Sequence, residues 1–282
     1  MVENRSLFNL VAHATLILGA ALVAFPLYVA FIASTHDTQT FLTGVTPLLP
    51  GPHLIENYKL VLGYGVRASG APPVGLMLWN SLVMALLIAV GKIAVSILSA
   101  FAIVYFRFPF RVLAFWIIFM TLMLPVEVRI VPTYKVAADL GLLNSYAGLT
   151  LPLIASATAT FLFRQFFLTI PEELTEAALI DGAGPWRFFR EILLPLSRTN
   201  MAALFVILFI YGWNQYLWPL LVTTGENRYT IVMGLQRLVT VSDASPQWHI
   251  VMAAAILALL PPVVVVVGMQ SLFIKGLVES DR

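Results

Sequence analysis

Long stretches of apolar residues dominate the chain and predict helices that cross a membrane. Such a helix needs about 20 apolar residues to span the hydrocarbon core. Six segments meet or approach this length: Leu10–Ser34, Leu76–Tyr105, Val112–Pro132, Tyr146–Phe167, Asn200–Val222 and Ile250–Ile274. Lipid offers the backbone no hydrogen-bond partners, so each segment is expected to be helical. The pattern therefore predicts an all-α membrane protein with six transmembrane helices.

The first segment could be mistaken for a signal peptide, and the third is limited by charged residues at both ends. The stretch from Ser6 to His36 holds no Lys, Arg, Asp or Glu, and it is longer than the apolar core of about 7–15 residues in a signal peptide. We therefore expect it to be retained as a first span. The third segment lies between Arg111 and Glu127, so its outer end is expected to face water or protein.

The connections between the segments predict the orientation of the chain. The connection near Thr35–Gly75 is rich in Pro and Gly and is predicted to hold little regular structure. The short connection between the second and third segments carries Arg107 and Arg111. Basic residues in short loops favour the cytoplasmic side, so both termini and the connection 168–199 are expected in the cytoplasm.

These features divide the chain into three parts. Residues 1–75 would form the first helix and a long extracytoplasmic loop. Residues 76–275 would form a core of five helices that includes the cytoplasmic loop 168–199, and residues 276–282 a cytoplasmic tail.

Composition supports a membrane protein and excludes several kinds of chemistry. The chain is 60% hydrophobic and 11% charged, whereas soluble domains carry about 25% charged residues. It has no cysteine, and its four histidines show no metal-ligand spacing. The net charge of +2 is too small to indicate a nucleic-acid partner. No phosphate-binding loop of the G-x-x-x-x-G-K-[ST] type is present, so a transport energy source would lie in another polypeptide.

The connection 168–199 has the pattern of two helices joined by a sharp turn. Pro171 suits the first position of a helix, and Glu172 and Glu173 follow where the helix dipole favours negative charge. Gly182 suits the left-handed residue that ends a helix. A second helix is predicted from Trp186 to Leu194, limited by Pro195. On these grounds alone the connection is either a solvated hairpin or a docking surface for a cytoplasmic partner.

The same connection resembles a known signature. The run from Glu176 to Ala183, continued by Phe189, Ile192, Leu194 and Pro195, is similar to the "EAA" loop of membrane subunits of ATP-binding-cassette (ABC) importers. Segments 25–31, 98–109, 122–130, 209–219 and 270–278 extend the resemblance to the maltose-type sugar permeases, and among them to second permease subunits of sn-glycerol-3-phosphate importers. The further proline that the family has after Leu-Pro is replaced here by Ser197-Arg198-Thr199. This predicts that the second helix of the loop runs smoothly into the fifth span.

The resemblance implies a fold, partners and a cargo. The fold would be that of a type I ABC importer permease in the inner membrane, and the chain would hold no cofactor, since ATP and magnesium bind the partner ATPase. The partners would be a homologous second permease, two copies of that ATPase, an extracytoplasmic solute-binding protein and the lipid bilayer. The cargo would be sn-glycerol-3-phosphate, with glycerophosphodiesters as related substrates. The residues that couple to the ATPase would be Glu176, Ala177, Ala178, Asp181, Gly182, Ala183 and Pro195.

Polar residues inside the spans are candidates for the translocation path, because ionisable groups in lipid are costly and usually functional. Glu127 and Arg129 could line the path or form a pair that reaches the lipid headgroups. Asn214 and Gln215 could contact cargo or form hydrogen bonds between helices. The neighbouring Trp213, Tyr216 and Trp218 are expected to form an aromatic belt. Lys92 lies inside the second span, and the sequence names no partner for it.

Three other functions remain open at this point. A permease for a sugar or another polyol would differ only in cargo. An autonomous secondary transporter or channel is disfavoured by the EAA-like loop and by the lack of two matching halves with broken helices. A membrane enzyme would need a nucleophile, metal or carboxylate set that the sequence does not display.

Overall fold

The computed structural model describes residues 6–42, 47–63, 71–121, 124, 126–240 and 247–278. Within these ranges the regular secondary structure is helical and no β-strand occurs, which confirms the all-α prediction. The helices are α1 (Ser6–Ala33), α2 (Thr38–Leu42), α3 (Leu54–Gly63), α4 (Val74–Tyr105), α5 (Arg111–Met120), α6 (Val126–Asp139), α7 (Tyr146–Thr150), α8 (Ala157–Leu168), α9 (Glu172–Ile180), α10 (Pro185–Phe188), α11 (Leu194–Leu196), α12 (Arg198–Trp213), α13 (Leu217–Val222), α14 (Ile231–Val239) and α15 (Trp248–Val278). Short 3₁₀ segments lie at Leu151–Leu153 and Glu226–Arg228, and a π-helical turn at Phe189–Leu193.

Three helices are long and apolar enough to cross a membrane, and they match the first, second and sixth predicted spans. They cover Asn9–Ala33, Val74–Tyr105 and Trp248–Leu272. Two further pairs of helices pass the same test but are bent, at 48° between Tyr146–Leu153 and Ala157–Leu168 and at 71° between Pro185–Leu196 and Arg198–Trp213. Within the described ranges the chain therefore has three unbroken candidate spans, or five if each bent pair counts as one.

The remaining predicted spans are interrupted where the sequence predicts continuous helix. The third prediction, Val112–Pro132, covers α5 and the first half of α6, and α5 ends at Met120. The fourth is bent because α8 restarts at Ser156, whose hydroxyl accepts a hydrogen bond from the Ala159 N–H (3.3 Å). The fifth is broken between Trp213 and Leu217.

The first of two compact units comprises Met1–Leu76 and Gly234–Leu260. Its connection after α1 is more ordered than predicted, since α3 is a ten-residue helix. The buried Asn57 amide donates hydrogen bonds to the carbonyls of Ser34 (2.9 Å) and His36 (2.7 Å), and Val61 is fully buried. These contacts, which a Pro- and Gly-rich composition does not reveal, make the prediction of little regular structure wrong for residues 54–63.

The second compact unit comprises Met77–Met233 and Pro261–Arg282. Its core joins α4, α6, α7 and α13 through Met84, Ile88, Ala137, Leu149, Trp218 and Val222. A Cβ atom added at Gly212 of α12 would lie 2.9 Å from the Cα atom of Ala85 in α4. Small residues at this crossing therefore allow the two helix backbones to approach closely, as membrane helices commonly do.

Candidate functional site

The predicted coupling helix is present as α9, followed by a sharp turn. Pro171 lies just before the helix, one position earlier than predicted, and Glu172 and Glu173 occupy its first turn. Gly182 has a φ of +70°. The Ala183 N–H donates to the Ala178 carbonyl (2.8 Å) and the Gly182 N–H to the Leu179 carbonyl (3.0 Å). This pair of bonds is the Schellman motif, which closes a helix at a left-handed residue.

α9 exposes apolar side chains that the subunit itself does not cover. Ala178 is its only buried residue, whereas Ile180 is 86% exposed and Leu179 68% exposed. Glu176, Ala177, Asp181 and Gly182 are exposed as well, and Ala183 is half-buried. An apolar surface rimmed by polar groups is typical of a protein interface. The geometry therefore favours a docking surface over a merely solvated hairpin.

Aromatic rings hold the segment after the turn against the C-terminal end of α4, which in turn contacts the C-terminal end of α8. Phe189 lies 4.9 Å from Phe101, and Phe188 lies 5.2 Å from Tyr105, between ring centroids. Tyr105 also lies 5.9 Å from the ring of Phe167 at the end of α8. Offset and edge-on ring pairs of this kind stabilise packing beyond their buried area. A force on α9 would consequently reach the membrane helices through a packed contact.

The passage from this loop to the fifth span is sharply bent, so the prediction of a smooth run is wrong. The helical path continues past Pro195 to Leu196 and then bends by 71° into α12. Pro195 has no N–H to donate, and a π-helical turn precedes it. The buried Ser197 donates its hydroxyl to the Leu193 carbonyl (2.6 Å) at the bend. The helical path therefore changes direction before α12 without the further proline that the family has after Leu-Pro.

Charges at the exposed rim of the loop are paired locally. The Arg187 Nε donates to the Glu191 carboxylate (2.9 Å), both side chains being exposed. This hydrogen bond, with the attraction of the carboxylate, raises the pKa of Arg187 further above its usual value. Exposed pairs one helical turn apart stabilise a helix only slightly, so we assign the pair no role in coupling.

The structure supplies a partner for Lys92, which the sequence left without one. Lys92 is buried in α4, and its Nζ atom lies 3.7 Å from the ring centroid of Tyr211 in α12. The side chain of Arg129 is exposed, and that of Glu127 lies outside the described residues. Lys92 and Arg129 thus lie on two helices, α4 and α6, that share the core of the second unit.

The predicted amides lie at the break between α12 and α13. Asn214 ends α12 and is exposed, and the Gln215 amide donates to the Tyr211 carbonyl within its own chain segment (3.2 Å). Among the described residues, this side-chain hydrogen bond of Gln215 thus stays within its own segment instead of joining two helices. Trp213 and Trp218 are buried rather than part of an aromatic belt. Irregular backbone at membrane depth is tolerated where it lines a cavity or is covered by protein.

A buried polar residue that sequence reasoning missed, Asn80 of α4, holds the connection before α14. The side-chain NH₂ of Asn80 donates to the backbone carbonyls of Asn227 and Tyr229 (3.0 Å each). Its side-chain oxygen accepts a hydrogen bond from the Tyr146 hydroxyl (2.6 Å). The guanidinium of Arg228 lies 4.2 Å from the Tyr146 ring. No short-range signal marks Asn80, because its partners are distant in sequence.

The fold and site define a membrane-embedded transport component. Its features are the bent spans, the exposed helix α9 and the ring contacts that join the loop to α4. The chain belongs to the family of binding-protein-dependent transport system inner membrane components, whose pattern matches residues 82–279.

Relatives in this family are similar over the whole chain. The sn-glycerol-3-phosphate transport system permease protein UgpE of Brucella melitensis is 61% identical, and that of Agrobacterium fabrum 62% identical, each over 282 residues that cover both chains fully. UgpE of Salmonella typhi is 60% identical over the same length. A chain from a bacterial ABC transporter involved in the import of the acidic polysaccharide alginate has the same fold, with a TM-score of 0.80 and 19% identity over 96% of this chain and 98% of that one.

Proposed function

We propose that the chain is the permease subunit of an ATP-driven importer and moves sn-glycerol-3-phosphate, with glycerophosphodiesters as related cargo, across the inner membrane. The observation that carries the cargo assignment is full-length identity of about 60% to permeases of sn-glycerol-3-phosphate transport systems. The fold and the exposed helix α9 support an importer subunit that receives its energy from outside the chain. The sequence holds no nucleotide-binding loop, so ATP and magnesium would be bound by a separate ATPase.

The complex would contain four further polypeptides. A homologous second permease would complete the path, and two copies of a cytoplasmic ATPase would drive it. A solute-binding protein would deliver cargo at the outer face. The family's dependence on a binding protein supports the last of these partners.

The coupling contact would be made by α9 and its turn. Glu176, Ala177, Asp181 and Gly182 would lie against the ATPase together with the exposed Leu179 and Ile180. Ala178, Ala183 and Pro195 would hold the shape of the loop. ATPase closure would then move the inner ends of α4 and α8 through Phe188 and Phe189.

The path for an anionic cargo would pass the cations of α4 and α6. Arg129 is exposed on α6, Lys92 is buried on α4, which shares a core with α6, and Asn214 is exposed at the break between α12 and α13. A guanidinium can contact phosphate through two parallel hydrogen bonds. Glu127, Arg129, Asn214 and Gln215 are our candidates for the path.

Replacing Arg129 by alanine is expected to lower uptake of glycerol-3-phosphate about tenfold or more, because a charge-assisted contact to phosphate would be lost. Arg129→Lys should lower uptake less, since lysine keeps the charge but not the planar fork. Lys135→Ala, at an exposed position of the same helix, is the matched control and should leave uptake unchanged. Wild-type uptake by Arg129→Ala would make Arg129 an interfacial anchor only.

The proposed orientation predicts opposite labelling of two introduced cysteines. The chain has no cysteine of its own, so Leu49→Cys and Ala183→Cys can be probed singly in intact cells. An impermeant thiol reagent added outside should label position 49 and leave position 183 unlabelled until the cells are permeabilised. The reverse pattern would invert the topology.

The cargo can be tested in cells that have lost their own glycerol-3-phosphate uptake. Expression of the chain with its second permease, ATPase and binding protein should restore uptake of glycerol-3-phosphate and leave maltose uptake unchanged. Uptake of maltose without glycerol-3-phosphate would instead assign a sugar permease.

A further inference from the structure

A cavity of about 380 Å³ opens between the end of α4, the start of α5 and the end of α8. Its size lies in the range of small-molecule sites, about 300–1,000 Å³. Aromatic rings of Phe115, Trp116 and Phe161 form much of its wall, and Arg111, Arg164 and Gln165 supply its polar groups. No described residue in this lining is acidic, so the cavity is suited to an anion.

The arginine inside the cavity has an unfilled hydrogen-bonding group. The Arg164 guanidinium lies 4.2 Å from the ring centroid of Phe115. Its Nε atom is buried and has no hydrogen-bond partner among the described residues. Buried polar groups normally have a partner, and a cation held over an aromatic ring is already partly desolvated. The Arg164 Nε–H is therefore a hydrogen-bond donor that could be satisfied by an acceptor outside the chain.

The positions of the two guanidiniums near helix ends favour the membrane surface over its centre. Arg111 is the first residue of α5, and Arg164 lies four residues, about 6 Å along the axis, before the end of α8. Both helix ends lie next to connections assigned to the cytoplasmic side. Cargo crossing the centre of the membrane is therefore a poorer match than a group at the headgroup level.

The surface that leads away from the cavity is apolar. Along α5 only Phe115 is buried, while Val112, Ile117 and Met120 are about 57–61% exposed. Such a surface beside a basic pocket offers contacts to acyl chains as well as to a headgroup. Basic pockets between helices on the cytoplasmic side bind anionic lipid headgroups.

We propose that this cavity binds the phosphate of an anionic phospholipid from the cytoplasmic leaflet. Arg164 would donate from inside the cavity and Arg111 from its rim, with the lipid chains lying along α5. The site is separate from the coupling loop and from the candidate path. The choice of leaflet rests on the proposed orientation, whereas the binding of an anionic lipid does not.

The test measures retained lipid on the purified transporter complex. Wild-type complex taken from nanodiscs of phosphatidylglycerol and phosphatidylcholine should keep phosphatidylglycerol through detergent washing, as counted by native mass spectrometry. Each of Arg111→Gln and Arg164→Gln should lower its retention about fivefold, and the double variant roughly 25-fold. Arg107→Gln, an exposed arginine outside the cavity lining, is the matched control and should retain the lipid.

Several outcomes would overturn the proposal. Equal retention by the double variant and wild type would exclude a lipid site here, and equal loss by Arg107→Gln would reduce the effect to general surface charge. Displacement of the lipid by millimolar glycerol-3-phosphate would assign the cavity to cargo. If Arg164→Gln fails to assemble, the exposed Arg111→Gln variant alone decides the question.

Discussion

Replacing Gly182 by alanine is expected to lower ATP-driven transport about 5- to 30-fold, because a left-handed conformation costs a residue with a Cβ atom about 1–2 kcal/mol. Gly182 has a φ of +70°, and no atom lies within 4 Å of an added Cβ. The penalty therefore comes from the backbone and not from a clash. Gly182→Val should be more severe, because β-branched residues rarely adopt positive φ.

Gly184 provides a matched control two residues away. An added Cβ there also meets no atom within 4 Å, and its φ of −70° is open to any residue. Gly184→Ala should leave transport unchanged, while Gly182→Ala should weaken binding of the ATPase in a pull-down with purified subunits. Both variants should insert normally, and the free ATPase should keep its activity. Normal transport by both Gly182 variants would remove the coupling role of this turn.

Replacing Asn80 by leucine is expected to destabilise the subunit by about 3 kcal/mol or more. Two backbone carbonyls and the Tyr146 hydroxyl would lose their partner, and each buried polar group left unsatisfied costs about 1–3 kcal/mol. Tyr146→Phe removes one of the three bonds and should cost about 1–3 kcal/mol. The readout is thermal unfolding of the purified complex in detergent.

A control for Asn80 is available in the connection that it holds. Among the described residues, the exposed Asn227 side chain forms one long hydrogen bond, with Asn144 (3.4 Å), whereas its backbone carbonyl accepts from Asn80. Asn227→Ala keeps that carbonyl and should leave thermal unfolding nearly unchanged. Equal unfolding of Asn80→Leu and wild type would show that this connection is held by other contacts.

Hydropathy predicted the unbroken spans well, and for the bent ones it missed the breaks. The boundaries of α4 and α15 differ from the predicted ones by a few residues, because composition alone determines whether a helix can lie in lipid. The bend before α8 depends on how Ser156 caps a new helix, and the 71° bend at Ser197 on a buried hydroxyl. Each bend thus involves a single serine hydroxyl, which an average of hydropathy over an apolar run does not detect.

The candidate site likewise divides into features that local sequence predicts and features that depend on contacts between distant parts of the chain. Gly182 could be predicted because helix ends have local chemistry, and its positive φ is as expected. The contact between Lys92 and Tyr211 joins distant parts of the chain, and so do the hydrogen bonds of Asn80. The exposure of Ile180 likewise becomes evident only once the rest of the subunit is folded.

Uptake by the reconstituted complex tests the central claim most directly. Proteoliposomes would contain this chain, its second permease and the ATPase, with ATP inside and the binding protein outside. We predict accumulation of labelled glycerol-3-phosphate that requires both ATP and the binding protein and that is lost in the Gly182→Val variant. Accumulation without ATP would contradict an importer subunit, and ATP-driven uptake of a sugar but not of glycerol-3-phosphate would contradict the proposed cargo.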